Sequence, residues 1–137
     1  MPVLLASAIE QIGTAAREWG TTTDRLVVGG RSMGGRVCSM AVADGLSVAG
    51  LLLLSYPLHP PKKPENLRTE HFPQIDVPVL FAQGSSDPFG KEPEFAAHVP
   101  AIAGPVQQLW LERTGHDPVE RCDDDIISAV QDWAATL

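Results

Sequence analysis

Leu26-Val27-Val28-Gly29-Gly30-Arg31-Ser32-Met33-Gly34-Gly35-Arg36 is the stretch that decides how the chain is read. A short apolar, β-branched run ends in two glycines, and Met33, Val37, Met40 and Ala41 then recur at helical spacing up to Gly45. Strand, tight turn and helix, with Gly30-Arg31-Ser32-Met33-Gly34 across the turn, is the context in which the pattern G-x-S-x-G carries chemistry. Such a bend strains the serine backbone and lifts the Ser32 hydroxyl clear of the strand end. Gly30 and Gly34 are expected where side chains would collide with the neighbouring helix and strand. The helix beginning at Met33 aims free N–H groups at the serine, so the Met33 N–H is the expected donor to a developing oxyanion.

Working outward, Leu5, Ile9, Ile12, Ala16 and Trp19 mark one face of a first helix, with Pro2 in its first turn and Gly20 to stop it. Gly50 to Leu54 and Val77 to Phe81 read as buried strands. Gln107 to Leu111 alternates and reads as a strand near an edge. Asp123-Asp124-Asp125 opens a last helix whose apolar face is Ile126, Ile127, Val130, Trp133 and Leu137. Helices between apolar strands predict an α/β fold, a mostly parallel sheet of about four strands covered on both faces. Pro57 to Pro73, rich in proline and polar residues, reads as a surface excursion at the strand ends. Nothing else marks a boundary, so residues 1–137 read as one domain.

Composition narrows the function. Among 137 residues, ten Lys+Arg face seventeen Asp+Glu, a net charge of −7. That balance repels phosphate backbones and anionic lipid, which argues against nucleic acid and membrane as partners. The apolar run Leu51 to Leu54 falls far below the roughly 20 residues that span a bilayer. No cationic segment leads into an apolar one at the start, and Cys38 and Cys122 form no disulfide framework, so a cytoplasmic setting with reduced thiols is expected. No cluster has metal-ligand spacing, and neither a metal nor an organic cofactor is expected.

A serine hydroxyl is a weak nucleophile until a base takes its proton. Of four histidines, His116 follows the fourth strand in Arg113-Thr114-Gly115-His116-Asp117, at the same sheet edge as Ser32. His98 falls on a short helix, Pro93 to Val99. His59 and His71 lie in the proline-rich excursion and are candidates to line a pocket. Asp87, in Gly84-Ser85-Ser86-Asp87-Pro88 after the third strand, is the candidate to orient the imidazole. Its rival Asp117 adjoins His116, and neighbouring loop side chains usually diverge. Ser32, Asp87 and His116 thus follow three successive strands. Arg31 and Arg36 flank the turn and suit either a substrate carboxylate or an ion pair with a neighbouring acid.

The sequence resembles the α/β hydrolases, most closely the small dienelactone-hydrolase-like group that includes the testis-expressed-30 and KANL-type proteins. The resemblance is carried by Gly29-Gly30-Arg31-Ser32-Met33-Gly34-Gly35-Arg36, Leu54-Ser55-Tyr56-Pro57-Leu58-His59-Pro60-Pro61, Leu67-Arg68-Thr69-Glu70-His71 and Pro78-Val79-Leu80-Phe81-Ala82-Gln83-Gly84 leading to Asp87. It implies the C-terminal part of that fold, with Ser32 as nucleophile, His116 as general base and acid, and Asp87 as orienting acid. Dienelactone hydrolases carry cysteine at the turn; Ser32 departs from them and argues for a small ester or thioester substrate. By the same resemblance about four strands and a helix precede the turn strand, whereas one helix precedes it here. The loop that normally gives a second oxyanion N–H is among the elements not seen. A bare apolar strand beside the turn is a sticky edge, so a homodimer through an exposed sheet edge or face is expected. The rival readings are a catalytically weak interaction module and a fragment of a longer hydrolase.

Overall fold

The computed structural model describes residues 1–137. The elements run α1 (Pro2–Glu18), β1 (Val27–Arg31), α2 (Met33–Ala43), β2 (Gly50–Leu54), β3 (Val79–Gly84), α3 (Glu92–His98), β4 (Val106–Leu111) and α4 (Asp123–Ala134). All four strands are parallel, in the spatial order β1-β2-β3-β4. Alternating helix and strand gives this arrangement because a parallel neighbour needs a crossover, and a helix supplies one while covering the sheet. No helix is long and apolar enough to cross a membrane.

The two faces of the sheet are covered unequally. On the α2 side, Val28, Leu51, Leu53, Val79 and Phe81 join Phe72, Ile75 and Phe95 in one buried core. On the other side only α4 packs, with Trp133 set over Gly50, where any Cβ would lie 2.8 Å from the indole. Leu52 and Leu54 stay half-buried and Val27 and Ile127 are exposed. The expectation of a sheet covered on both faces therefore holds for one face and only partly for the other. Trp133 alone of the expected α4 face is buried; Leu137 touches Gly50 beside it yet stays partly in solvent at the chain end, and Ile127 is exposed on the open side.

The proline-rich excursion also differs from its reading as a surface segment. Tyr56, Leu58 and Phe72 have no exposed surface, and only the stretch 61–66 is fully outside. Its ends are threaded into the core: the Tyr56 hydroxyl donates to the Arg68 carbonyl at 2.7 Å, and the Arg68 N–H donates to the Leu58 carbonyl at 2.9 Å. Proline cannot extend the sheet ladder, but it does not prevent such anchoring.

At the turn, one of the two expected close-packed glycines is misplaced by one residue. A Cβ at Gly30 would lie 2.5 Å from the Gly34 backbone, and a Cβ at Gly35 would lie 2.7 Å from the Gly30 carbonyl oxygen. At Gly34 nothing lies within 4 Å. Gly30 and Gly35 are the pair that lets α2 lie against β1; Gly34 faces open space. Gly30→Ala should lose at least about 2 kcal/mol of unfolding free energy through backbone overlap. Gly34→Ala should stay within about 1 kcal/mol of the parent, on the favourable side, because alanine suits a helix better. Urea denaturation of the two variants checks the contrast.

Candidate active site

Ser32 stands between β1 and α2 with φ 54° and ψ −122°, a left-handed conformation that a residue with a side chain adopts only under constraint. The constraint is visible on both sides. The Ser32 N–H donates to the Leu54 carbonyl at 2.9 Å, and its own carbonyl accepts the Arg36 N–H at 3.1 Å. The hydroxyl is thereby held above the sheet edge, half-buried.

Ser32 Oγ lies 2.8 Å from His116 Nε2, and His116 Nδ1 lies 2.8 Å from Asp87 Oδ2. An ionised carboxylate only accepts, so Nδ1 carries the proton and Nε2 is left as the acceptor for the Ser32 hydroxyl. The three side chains come from the ends of β1, β3 and β4. In a parallel sheet those ends share one edge, which is why residues so distant in sequence meet.

Asp87 is fully buried, and its partners account for its oxygens. Oδ2 also accepts from Gln83 Nε2 at 2.9 Å, and Oδ1 accepts from the Phe89 N–H at 2.8 Å. Gln83, itself buried at the end of β3, accepts the Tyr56 N–H at 2.8 Å through Oε1. The Phe89 ring packs on the imidazole of His116, 4.3 Å between centroids and 32° from parallel. Sequence reasoning missed both residues. A glutamine directly after the apolar run Val79-Leu80-Phe81-Ala82 was the available signal, because a buried amide needs partners.

The His116 loop is tied down in turn. Arg121 donates to the Glu112 and Arg113 carbonyls at 3.1 and 2.9 Å, and the Arg113 N–H donates to Ser85 Oγ at 3.0 Å. Gly84 permits the approach: a Cβ there would lie 2.3 Å from the Thr114 and Gly115 carbonyl oxygens. On the other side of Ser32, Met33 opens α2, and its N–H makes no hydrogen bond to the chain. First-turn N–H groups have no partner within the helix, so this donor is free for an anion.

The remaining candidates lie elsewhere. Arg31 forms an exposed ion pair with Asp117, the second of the two roles open to it. These two side chains wall an open depression of about 590 Å³ whose apolar lining includes Leu54, Pro118, Ile126 and Ile127. His59 is buried, with Nδ1 2.7 Å from the Pro60 carbonyl and Nε2 2.6 Å from Glu94 on α3, and so serves to hold the excursion. His71 contacts Ser39 on α2, with Nε2 2.8 Å from its hydroxyl. Neither joins Ser32, because the buried ends of the excursion hold both against other elements.

Residues 1–134 match the family described as alpha/beta hydrolase domain. The chain belongs to the alpha/beta hydrolase family. Its fold is similar to a predicted CIB-like hydrolase from Thermoplasma acidophilum (TM-score 0.73, 21% identity, 97% of this chain and 60% of that one). It is also similar to the Bacillus cereus carboxylesterase (TM-score 0.67, 17% identity, 97% and 60%) and to a bacterial membrane phospholipase A described as a virulence factor (TM-score 0.71, 15% identity, 96% and 63%). At these identities the likeness is one of fold, and this α/β hydrolase spans less than two thirds of each neighbour's length.

The Gln83 amide links the buried carboxylate to the Tyr56 backbone, just ahead of the excursion. Gln83→Leu should cost about 2–3 kcal/mol by leaving the Tyr56 N–H and an Asp87 oxygen short of partners. Chemical denaturation measures it; an unchanged midpoint would mean that other groups or water replace the amide without loss.

Proposed function

We propose that this α/β hydrolase is a serine hydrolase of the dienelactone-hydrolase-like group that cleaves a small ester or thioester. The observation that carries the reading is the unbroken chain Ser32 Oγ, His116 Nε2, His116 Nδ1, Asp87 Oδ2, with 2.8 Å at each hydrogen bond. Ser32 Oγ attacks the carbonyl carbon while its proton passes to His116 Nε2. The imidazolium so formed lies against the buried Asp87 carboxylate, and the negative charge on the carbonyl oxygen falls to the Met33 N–H. His116 then protonates the departing alcohol or thiol, and water enters by the reverse path to release the acid. The apolar depression beside Arg31 and Asp117 suits a short hydrocarbon limb of the substrate.

A serine hydroxyl held on a neutral imidazole Nε2, with the Met33 N–H free beside it, is expected to react with an electrophile that mimics the acyl centre. Treatment with a fluorophosphonate should therefore modify Ser32 to completion, with Ser32→Ala unlabelled and His116→Gln slowed by at least about 10³. A folded parent protein that resists the reagent would contradict the reading.

A second copy of the chain is proposed to cover the β1 edge. β1 pairs only with β2, Val27 and Trp19 beside it are 44% and 70% exposed, and Ile12, Leu26 and Val28 wall an apolar groove of about 240 Å³ there. Sedimentation velocity at micromolar concentration should report a dimer, shifted toward monomer by Val27→Lys, which puts charge on the edge. A lone monomer in the parent protein would overturn the pairing.

A further inference from the structure

A second serine–histidine contact lies on α2, beyond the turn that carries Ser32. Ser39 Oγ, buried, donates to the Arg36 carbonyl at 2.7 Å and sits 2.8 Å from His71 Nε2. With the hydroxyl proton committed to the carbonyl, the imidazole donates from Nε2. Burial first, and the nearby Arg36 charge second, pull His71 down to about 4, so it is neutral at neutral pH. No carboxylate stands behind this imidazole, and the pair is not a second nucleophilic centre. Its effect is to clamp the segment Leu67 to His71 against α2.

The clamp brings two guanidinium groups together. Arg36 and Arg68 line a pocket of about 190 Å³ with Met40, Leu67, Glu70 and His71. The ion pairs of the chain are Arg31 with Asp117, His59 with Glu94 and His116 with Asp87; neither Arg36 nor Arg68 has an acid partner. Arg36 Nε is shut off from solvent with no acceptor. In a chain with seventeen carboxylates, two neighbouring cations without acid partners that line one pocket form an arrangement that an anion would complete. Arg68 is pushed down by burial and then by Arg36, as expected of two cations sharing one site.

Ser32 caps α2 and its carbonyl accepts the Arg36 N–H at 3.1 Å, so Arg36 stands one turn into the helix that Ser32 opens. From these placements we infer that the Arg36–Arg68 pocket is an anion subsite that holds a carboxylate or phosphate borne by the substrate a few bonds from the scissile carbonyl. The anion site stands on its own residues; its service to a substrate rests on the hydrolase reading above. Glu70 also faces the pocket and opposes an anion there, which fixes the sign of a second test.

Isothermal titration of Ser32→Ala protein at low ionic strength, with inorganic phosphate and separately with succinate, reads the site without turnover. Saturable one-site binding of at least one anion is expected, and the preferred one identifies the substrate's group. In the same background Arg68→Gln should weaken binding by about tenfold, the loss of a charge-assisted hydrogen bond. Arg68→Lys should restore part of it, and Glu70→Gln should tighten it. A merely structural Arg68 would not produce opposite shifts from Arg68→Gln and Glu70→Gln. In protein with Ser32 intact, the ratio of kcat/KM for 4-nitrophenyl hydrogen succinate to that for 4-nitrophenyl butyrate should exceed one and fall about tenfold in Arg68→Gln. Failure of both anions to saturate, or saturation indifferent to Arg68, overturns the subsite. Anion binding as described with neither ester cleaved would instead overturn the hydrolase reading and leave the pocket in place.

Discussion

The buried carboxylate of Asp87 is the constraint on which the rest of the site depends. A charge without solvent is tolerated in a protein interior only where hydrogen bonds replace its water. Here three segments are recruited to do so: Gln83 at the end of β3, the Phe89 N–H in the loop that follows, and the imidazole of His116 from the loop after β4. Any displacement of one leaves the charge short of a partner, so the carboxylate fixes the loops as much as the loops fix the carboxylate. His116 is thereby aimed at Ser32, whose own position is set independently by the strained turn between β1 and α2. The proposed chemistry is a property of two separately determined pieces meeting at one hydrogen bond.

The same economy does not extend to the second face of the sheet. The α2 side has a continuous aromatic and aliphatic core in which Tyr56, Phe72, Phe81 and Phe95 meet at tilted or edge-on angles. The α4 side leaves Val27, Ile127 and parts of Leu52 and Leu54 to solvent. The depression beside Arg31 and Asp117 lies on that open side. The Arg36–Arg68 pocket lies on the α2 side. Arg31, just before Ser32, walls the first and Arg36, one helical turn after it, walls the second, an arrangement that suits the proposed substrate if it has unlike ends.

Much of the fold was legible because parallel α/β architecture writes itself in simple periods. Apolar runs such as Gly50 to Leu54 and Val77 to Phe81, separated by three- and four-residue spacings, lead to the alternating elements and to the β4 edge strand, although β3 itself runs Val79–Gly84. Ser32, Asp87 and His116 stand out for the same reason: each follows a strand, and parallel strands end on one side. Less legible were features that depend on what lies opposite a residue. Gly34 and Gly35 are adjacent and chemically identical, and only the packing of α2 on β1 makes the second indispensable. The α4 face looked uniformly apolar, yet burial stops at Trp133 because no element faces Ile127. The prolines of the excursion concealed how deeply Leu58 and Phe72 are anchored, and Gln83 lay beyond the strand read as Val77 to Phe81, whereas β3 extends to Gly84.

The proposed chemistry depends most on a proton held between His116 Nδ1 and Asp87, with Nε2 left to accept from Ser32. Proton NMR of the folded protein reads that hydrogen directly, as a single resonance far downfield of the amide envelope. The resonance should be present in the parent protein, missing in His116→Gln, and displaced in Asp87→Asn, where the acceptor loses its charge. If the folded parent protein gives no such signal, or His116→Gln retains it, Asp87 does not hold His116 and the proposed catalytic arrangement is wrong.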